Sequence, residues 1–339
     1  MKKTIPAIIL FALALYGVVS GCLWLLDNKI PNFREESELF VRPGMAPEEI
    51  ASQLDGNVRR KGSLLRAFRK KQVSVYLSPG HYVVRPNHTS VYVARMLNNG
   101  WQTPVRLTLS GTLRLRGDIA RKISAQMMVD SASVRAAMED KALLSEFGFT
   151  PETVFALFVP DTYEMYWTAS MKDIFARQKK ALDEFWTPER DAKAKSLKLS
   201  RMQAAIVASI VCGESNYIPE YPKIAGVYLN RLSKGMKLQA DPTVAFCFDY
   251  DVRRILKSQL QVDSPYNTYL HAGLPPGPIY VPTKAALDAV LNPDRGGGNL
   301  FFCADPSFNG SHRFAKNYAE HRRNARAFQS ALDAKSIKN

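Results

Sequence analysis

Residues 200–214 read SRMQAAIVASIVCGE, a polar start followed by an almost uninterrupted apolar run. Ser200 and Gln203 have the spacing of a capping box, in which the hydroxyl and the amide satisfy free backbone N–H groups at the start of a helix. The apolar residues that follow cover nearly every face of such a helix, as expected for a helix buried in a protein core. We therefore predict that this segment is the central helix of a folded domain.

The predicted helix ends in an ionisable residue. Val207, Val211 and Glu214 lie on one stripe at helical spacing, so Glu214 continues the buried face. Burial and the negative end of the helix dipole would both raise the pKa of this carboxyl, as a general acid at neutral pH requires. Two other interpretations are open: Glu214 faces solvent, or it pairs with Lys223 or Arg231.

Polar loops follow this helix along the chain. A second amphipathic helix is predicted over 222–232, and polar side chains then collect in 238–243, 264–269 and 273–277. These loops are dense in Pro, Gly, amide, hydroxyl and aromatic groups, which suit the C–H faces and hydroxyls of sugars. Purely structural turns are the alternative interpretation of each loop.

The composition is that of a folded and strongly basic protein. The 339 residues allow one large domain or two smaller ones, and 46 Lys and Arg against 31 Asp and Glu give a net charge of +15. Such an excess predicts an anionic partner: nucleic acid, anionic lipid headgroups or an acidic polymer such as the cell wall. The 4 cysteines and 5 histidines form no zinc-type motif, so we expect no metal and no cofactor.

The N-terminus predicts the compartment. Ile5–Leu26 is an uncharged apolar run, and its 22 residues would span ~33 Å as a helix, enough to cross a bilayer. Lys2 and Lys3 favour a cytoplasmic N-terminus, which places the rest of the chain outside the cytoplasm and removes nucleic acid as a partner. The competing interpretation is a lipoprotein acylated at Cys22.

The remaining chain predicts an α+β protein with two folded parts. We expect a membrane anchor at 1–28, a linker at 29–37, a small α+β module at 38–103 and a larger α+β domain at 104–335. The strand–helix–helix–strand order of the module resembles LysM-like modules that bind glycans, although a small packing domain without ligand has the same pattern. The charged stretch 187–199 is predicted to be a solvated connector.

Five motifs in one order carry a resemblance to a known family. They are ASIVxxE (208–214), AGVYLNRL (225–232), GMxLQADPTV (235–244), SPYNTY (264–269) and GLPPGPI (273–279). Together they resemble the YceG-like (MltG) family of endolytic murein transglycosylases, and weaker similarity extends from the strand at 38–42 to residues 312–314. The resemblance implies a LysM-like module followed by an α+β catalytic domain that cleaves nascent peptidoglycan strands beside the membrane.

The resemblance assigns the catalytic role to Glu214. The family's motif is E-x-E, and this chain departs from it because Cys212 stands at the first position. One acid suffices for a lytic mechanism, since the C6 hydroxyl of the muramoyl residue is the nucleophile and closes a 1,6-anhydro ring. Family position marks these residues as candidates for holding the glycan or the developing charge: Gln239, Asp241, Thr243, Tyr266, Asn267, Tyr269 and, from another loop, Asp161.

Two other classes of function stay open. A hydrolase would use Asp161 or Asp241 as a second carboxylate to activate water. The protein could instead be a wall-binding scaffold without catalytic activity, in which Cys212 marks the loss of an acid from a former active site. The expected location is the cell (inner) membrane, with the catalytic domain periplasmic where an outer membrane exists. The expected partners are peptidoglycan strands, with cell-wall synthases and the division machinery as candidate protein partners.

Overall fold

The computed structural model describes residues 4–252 and 255–335, with side chains from residue 8 onward. Helices dominate, and the strands form two-stranded sheets, so the fold is mixed α and β. The chain divides into two compact units. The small unit contains residues 1–107 with 126–128 and 164–169, and the large unit contains 108–125, 129–163 and 170–339. The predicted boundary at 103/104 stays a prediction.

The small unit begins with the apolar helix α1 (Thr4–Asn28). Ile8–Asn28 is long and apolar enough to cross a membrane, with a mean hydropathy of 2.3. Cys22 lies inside this helix with an exposed thiol. The predicted apolar span therefore forms one continuous helix, in which Cys22 is not a break.

The end of α1 is joined to the rest of the small unit by polar contacts. Asp27 accepts hydrogen bonds from Ser63 Oγ at 2.6 Å and from Arg66 Nη2 at 2.8 Å. Ser63 in turn contacts Ser90 Oγ at 2.9 Å, and Asn32 Nδ2 donates to the same hydroxyl at 2.9 Å. These side chains are largely buried, so the network fixes the end of the helix against the unit.

The predicted linker is part of this packing. Phe33 is fully buried and pairs with Val58 in an isolated β-bridge. Asn57 Oδ1 accepts hydrogen bonds from the backbone N–H groups of Arg34 and Glu35, at 2.8 and 2.9 Å. Residues 29–37 thus lie against the small unit rather than forming a free tether.

The rest of the small unit follows the predicted element order, with one additional short helix, α4, before the second strand. Its elements are β1 (Ser37–Val41), α2 (Pro47–Gln53), α3 (Lys61–Lys70), α4 (Val73–Tyr76), β2 (Gly80–Val84) and α5 (Ser90–Asn98). Strands β1 and β2 are antiparallel, with Leu39 opposite Tyr82. Both residues are buried in a core that also contains Ile50 and Phe68. The alternation of apolar residues along these short strands produces this buried face.

The following elements are mostly helical. They are β3 (Val105–Leu109), α6 (Arg116–Ser124), α7 (Ser131–Ala137), α8 (Lys141–Ser145), β4 (Asp161–Met165), α9 (Met171–Phe185), α10 (Pro188–Ser196), α11 (Arg201–Glu214), α12 (Tyr221–Ser233), α13 (Asp241–Phe246), α14 (Lys284–Leu291), β5 (Phe301–Ala304), β6 (His312–Ala315) and α15 (Tyr318–Ala334). Short 3₁₀ turns occur at Val154–Leu157, Ile218–Glu220 and Gln259–Gln261. β3 pairs with β4, and β5 pairs with β6.

Helix α11 is the buried helix that the sequence predicts. Ser200 Oγ accepts from the backbone of Gln203 at 3.1 Å, and Gln203 Oε1 accepts from the backbone of Ser200 at 2.8 Å, which completes the capping box. Residues 204–212 are all buried, and α11 packs against α12 and α14. Its last turn, which carries Glu214, is therefore held in place by the core.

The prediction of a connector at 187–199 is wrong. Thr187 caps α10 by accepting from the backbone of Arg190 at 3.3 Å, and Pro188 occupies the first turn. Ala194 packs inward, and Arg190 Nε pairs with Asp288 at 3.0 Å. The charges of this stretch therefore lie on the exposed side of a short helix that packs within the large unit.

Candidate active site

Close packing of a glycine sets the position of Glu214. A Cβ built on Gly213 would lie 2.6 Å from Cβ of Pro242, which is too close for any side chain. Pro242 follows Asp241 in the first turn of α13. The end of α11 thus contacts the start of α13 directly, and this contact brings Glu214 and Asp241 to the same part of the surface.

Glu214 has a tyrosine partner on the neighbouring helix. Tyr228 of α12 donates a hydrogen bond from its hydroxyl to Oε1 of Glu214. Burial raises the pKa of Glu214 to about 7, the Tyr228 hydrogen bond opposes this rise, and the negative charge of Asp241 adds to it. Arg231 also opposes the rise. A carboxyl with this pKa exchanges a proton near neutral pH.

Arg231 holds the surrounding loops. Its guanidinium donates from Nε to the carbonyl of Leu300 at 2.6 Å and from Nη1 to the carbonyl of Leu238 at 2.7 Å. Nη1 also lies 3.3 Å from Oε1 of Gln239, and the guanidinium stacks over the ring of Phe301 at 5.0 Å. Nε and Nη1 are used by these acceptors, so Arg231 connects α12 to β5 and to the chain before α13.

Glu214 lies where two cavities meet. Cavity A has a volume of about 350 Å³ and is lined by Glu214, Asp241 and an aromatic group: Tyr228, Tyr269, Phe301, Phe302, Tyr318 and His321. Cavity B has a volume of about 420 Å³ and is also lined by Glu214 and Asp241, together with Thr112, Arg114, Asn216, Tyr250 and Tyr280. Glu214 therefore borders open space on two sides.

Three of the predicted binding residues join Glu214 in cavity A. Gln239, Asp241 and Tyr269 all line it. Tyr269 donates from its hydroxyl to Oδ1 of Asp241 at 2.5 Å. Gln239 has a left-handed backbone with φ of 51°, and its N–H donates to the carbonyl of Thr268 at 3.1 Å. The structure thus brings these side chains, from two separate parts of the chain, to the cavity that Glu214 lines.

Three other predicted binding residues lie outside both cavities. Thr243 is fully buried and bonds to the carbonyl of Ala240 at 2.7 Å. Asn267 is also fully buried, and its amide donates to two loop carbonyls at 3.0 and 2.9 Å. Tyr266 packs on Phe246 with ring centroids 4.7 Å apart. These contacts favour a supporting role, in which Thr243 and Asn267 fix the loops that carry Asp241 and Tyr269.

Asp161 lies in a different place. It pairs with Lys284 at 2.5 Å, and this hydrogen bond holds the pKa of Asp161 below its ordinary value. It lines cavity C, of about 400 Å³, which shares four lining residues with cavity B (Thr112, Cys212, Asn216 and Tyr280) but is not lined by Glu214. The structure therefore does not bring this carboxylate together with Glu214.

Cys212 occupies the position where the family motif has a second acid. It is buried, its Sγ lies 3.6 Å from the hydroxyl of Thr283, and burial raises the pKa of the thiol. Within residues 4–252 and 255–335, no group of three or more His, Cys, Asp or Glu is placed to hold a metal ion. Among the described residues, the carboxyl groups that line cavities A and B are those of Glu214 and Asp241, with tyrosines beside them.

Sequence reasoning missed much of the cavity lining. Tyr228 and Arg231 stand in the motif AGVYLNRL, three residues apart and so on one helix face, and this spacing was the available signal. Phe301, Phe302 and His321 are far along the chain and gave no comparable signal. Phe301 and Phe302 reach cavity A because Arg231 of α12 bonds to the carbonyl of Leu300, directly before β5, and His321 reaches it because α15 packs against β5.

Comparison with known proteins identifies the family. The model of the YceG-like family matches residues 39–327 of the chain. The chain belongs to the YceG-like family. The matched range of this YceG-like protein includes every residue that lines cavities A and B, so the site lies inside the part shared with the family.

Named relatives are similar over different lengths. An endolytic murein transglycosylase of Bacillus subtilis (strain 168) is 34% identical over 166 residues, which are 49% of this YceG-like chain and 45% of that protein. An endolytic murein transglycosylase of Streptococcus pneumoniae (strain D39) is 23% identical over 360 residues, covering 94% of this chain and 64% of that protein. The chain thus spans about half of the first relative and under two thirds of the second.

A solved structure is similar to the fold. The crystal structure of a YceG-like protein from Listeria monocytogenes matches with a TM-score of 0.56 and 26% sequence identity. The match covers 85% of this chain and 98% of that one. The similarity thus extends over most of the YceG-like chain and is not confined to the motifs around Glu214.

Proposed function

We propose that this protein is an endolytic peptidoglycan lytic transglycosylase. It cleaves the bond between MurNAc and GlcNAc within nascent glycan strands, leaves 1,6-anhydro-MurNAc ends and so terminates glycan elongation. The observation that carries the proposal is Glu214, whose pKa burial raises to about 7 and which faces cavities on two sides. Membership of the YceG-like family and the names of the relatives support the substrate class.

In the first step, protonated Glu214 donates its proton to the glycosidic oxygen. The bond between that oxygen and C1 of the muramoyl residue breaks, and the GlcNAc side leaves with a free hydroxyl. A positive charge of oxocarbenium type develops at C1. The carboxylate of Asp241, which shares both cavities with Glu214, stabilises this charge in the proposed mechanism.

In the second step, the muramoyl C6 hydroxyl attacks C1 of the same sugar. Glu214, now a carboxylate, takes the proton from that hydroxyl and returns to its starting state. Because nucleophile and reacting carbon belong to one sugar, the ring closure gains from high effective molarity and needs no activated water. Tyr228 stabilises the charged form of Glu214 between the two steps through its hydrogen bond.

The other cavity residues bind the strand in this mechanism. The rings of Tyr269 and Phe302 offer flat apolar faces to the C–H surfaces of sugars, and Gln239 offers an amide to their hydroxyls. Thr243 and Asn267 hold the loops from within. Cys212, a neutral buried thiol, leaves Glu214 as the sole acid of the motif.

A hydrolase is the second candidate, because Asp241 lines both cavities beside Glu214. In that mechanism Asp241 would activate a water molecule and release reducing MurNAc ends. The hydrogen bond that Asp241 accepts from Tyr269 uses one of its oxygens, which favours the electrostatic role over the role of base. A silent wall-binding scaffold would give neither product.

Product mass separates these possibilities. Purified sacculi are incubated with the full-length protein in detergent, and the soluble products are analysed by mass spectrometry. We expect 1,6-anhydro ends, which are one water (~18 Da) lighter than hydrolytic ends by the stoichiometry of the two routes. Reducing MurNAc ends as the main product would establish the hydrolase, and no product at all would establish the scaffold.

The Glu214→Gln variant tests the assignment of the acid. It keeps the shape of the side chain but removes the transferable proton. The rate of cleavage should therefore fall by ~10²–10⁴-fold while strand binding persists. Glu139→Gln, at an exposed carboxylate outside both cavities, is the matched control and should cleave like wild type. Near wild-type cleavage by Glu214→Gln contradicts the assignment.

We also propose that α1 anchors the protein in the cell (inner) membrane, with the N-terminus cytoplasmic and the catalytic domain outside. The length and apolar character of α1 support this arrangement. Intact-mass analysis of the membrane-extracted protein should give an uncleaved chain without lipid. A mature chain that begins at an acylated Cys22 would replace the helix anchor by a lipoprotein.

The small unit is proposed to be a LysM-like glycan-binding module, with a domain boundary near residue 103. Its two antiparallel strands and the helices between and after them support this comparison. Cell-wall synthases and the division machinery are the proposed protein partners. Cross-linking of the anchored full-length protein in cells tests the partners, and recovery of the protein with strands but without synthases would contradict this part.

A further inference from the structure

Arg114 is a cationic side chain that lines cavity B. It is exposed, lines the cavity with Glu214, and its guanidinium lies 5.1 Å from the ring centroid of Tyr250. Within residues 4–252 and 255–335, its guanidinium makes no hydrogen bond or ion pair with another side chain or carbonyl. By contrast, the guanidinium of Arg231 in cavity A is bonded to carbonyl oxygens of the loops.

Tyr250 is built as a fixed support under Arg114. Its backbone is left-handed with φ of 58°, and that of Asp249 before it is left-handed with φ of 52°. Non-glycine residues adopt this conformation at a cost, and they keep it only where surrounding contacts enforce it. Here the contacts are the hydroxyl of Tyr250 bonding to the carbonyl of Ile279 at 2.6 Å and its N–H bonding to that of Ala245 at 2.8 Å.

The acidic groups around Arg114 have other partners. Asp118 accepts from the backbone N–H of Arg114 at 3.2 Å, but its carboxylate pairs with Arg121 at 2.5 Å. The charged groups that shift the pKa of Glu214 are Asp241 and Arg231. Arg114 therefore stands free of the acid–base pair, with its planar fork available to a ligand in the cavity.

We propose that Arg114, supported by Tyr250, is a carboxylate-binding subsite for the lactyl branch of a muramoyl residue bound in cavity B. The inference rests on the proposed function, because it places a glycan strand across Glu214. N-acetylated sugars carry no charge, so the anionic groups of such a strand lie on this branch. They are the carboxylates of the stem peptide or, where the peptide has been removed, the free lactyl carboxylate. A guanidinium recognises either through paired N–H···O bonds.

Binding by an inactive protein tests this subsite without turnover. The full-length Glu214→Gln protein in detergent is titrated with three soluble strand preparations. These carry intact stem peptides, free lactyl carboxylates after amidase treatment, or carboxylates converted to neutral methylamides. A second protein carries Arg114→Gln in addition to Glu214→Gln. Compared with the Glu214→Gln parent, it should bind one or both anionic preparations roughly 3- to 10-fold more weakly and bind the neutral preparation equally well.

Two further variants sharpen the test. Arg114→Lys keeps the charge but loses the planar fork, so it should recover part of the lost affinity. Arg106→Gln removes an exposed arginine of β3 that lines none of cavities A, B and C, and it should bind all preparations like its parent. Added salt should reduce the difference in affinity between the parent and its Arg114→Gln variant, because the contact is exposed.

The outcomes separate this inference from the proposed function. A loss confined to peptide-bearing strands assigns the stem peptide, and a loss confined to amidase-treated strands assigns the lactyl carboxylate. Equal loss on the neutral strands, or no loss on any, overturns the subsite. The proposed function fails if the protein with native Glu214 makes no anhydro ends. In that case the binding comparison still shows whether Arg114 recognises a carboxylate of the strand.

Discussion

Tyr228 donates its hydroxyl hydrogen bond to Oε1 of Glu214, from α12 to the last residue of α11. The bond acts against burial. Burial favours the protonated acid, whereas the tyrosine favours the carboxylate. The balance of the two raises the pKa of Glu214 only to about 7, where both protonation states of a catalytic cycle are accessible.

Tyr228→Phe removes the opposing hydrogen bond, so the pKa of Glu214 should rise further. In the proposed mechanism the first step requires the protonated acid, so activity falls as pH rises through this pKa. The falling limb of the pH–rate profile should therefore move to higher pH, while the rate at pH 7 drops by about 10-fold because the carboxylate loses its donor. Tyr163→Phe, which loses the buried hydroxyl of a residue that lines neither cavity A nor cavity B, is the control. A limb that stays in place would contradict the role of Tyr228.

Asp241→Asn should move the same limb in the opposite direction. The negative charge of Asp241 helps to raise the pKa of Glu214, and its removal lowers that pKa. The rate at the optimum should also fall by roughly 10- to 100-fold, since the developing positive charge loses its counter-charge. Asp263→Asn, at an exposed loop residue outside both cavities, serves as the comparison. If the limb moves upward instead, the electrostatic link between the two carboxyls is wrong.

Glu214 should make the native protein less stable as pH rises. Its pKa is about 7 in the folded chain against an ordinary value of 4.5, so the folded state binds more protons between these values. Stability is then lost as pH increases from about 5 to 8. Relative to wild type, Glu214→Gln should gain about 2–3 kcal/mol in free energy of unfolding over that range. Denaturant titrations at pH 5 and pH 8 measure this, and parallel pH dependences would refute it.

Gly213→Ala should damage both folding and activity. The new Cβ would meet Cβ of Pro242 at 2.6 Å, so α11 and α13 would have to separate. Such overpacking costs about 1–3 kcal/mol, and it would change the spacing of Glu214 and Asp241. Gly117→Ala, in the first turn of α6 with no atom within 4 Å of the added methyl, should be neutral or stabilising. Thermal unfolding and strand cleavage of the two variants test this contrast.

Local signals predicted much of the fold. The capping box at Ser200 and the apolar run after it gave α11 with its correct start and end, because both depend on residues close in sequence. The same kind of signal at Thr187 and Pro188 was outweighed by the charge of that stretch, and α10 was missed. A short helix that buries one alanine, Ala194, has too little apolar periodicity to be predicted as a helix.

The composition of the cavities was less accessible. Glu214, Gln239, Asp241 and Tyr269 were found, but the tyrosine that bonds to Glu214 was not. The packing angle of α12 on α11 decides which side chain faces the acid, and sequence spacing does not contain that angle. Thr243 illustrates the opposite error, since a polar side chain in a tight loop is first needed by the loop's own backbone.

The contacts of Asp27 couple helix α1 rigidly to the small unit. A flexible linker of nine residues, as predicted for 29–37, would have a root-mean-square end-to-end distance of roughly 15–18 Å. In the structure, Asp27 is bonded to Ser63 and Arg66, and Phe33 is buried, so no such slack exists. With α1 in a bilayer, the tilt of that helix becomes the orientation of the small unit. Membrane thickness and curvature change the tilt of a spanning helix. Because no flexible linker separates α1 from the small unit, such a change in tilt would rotate the small unit as well.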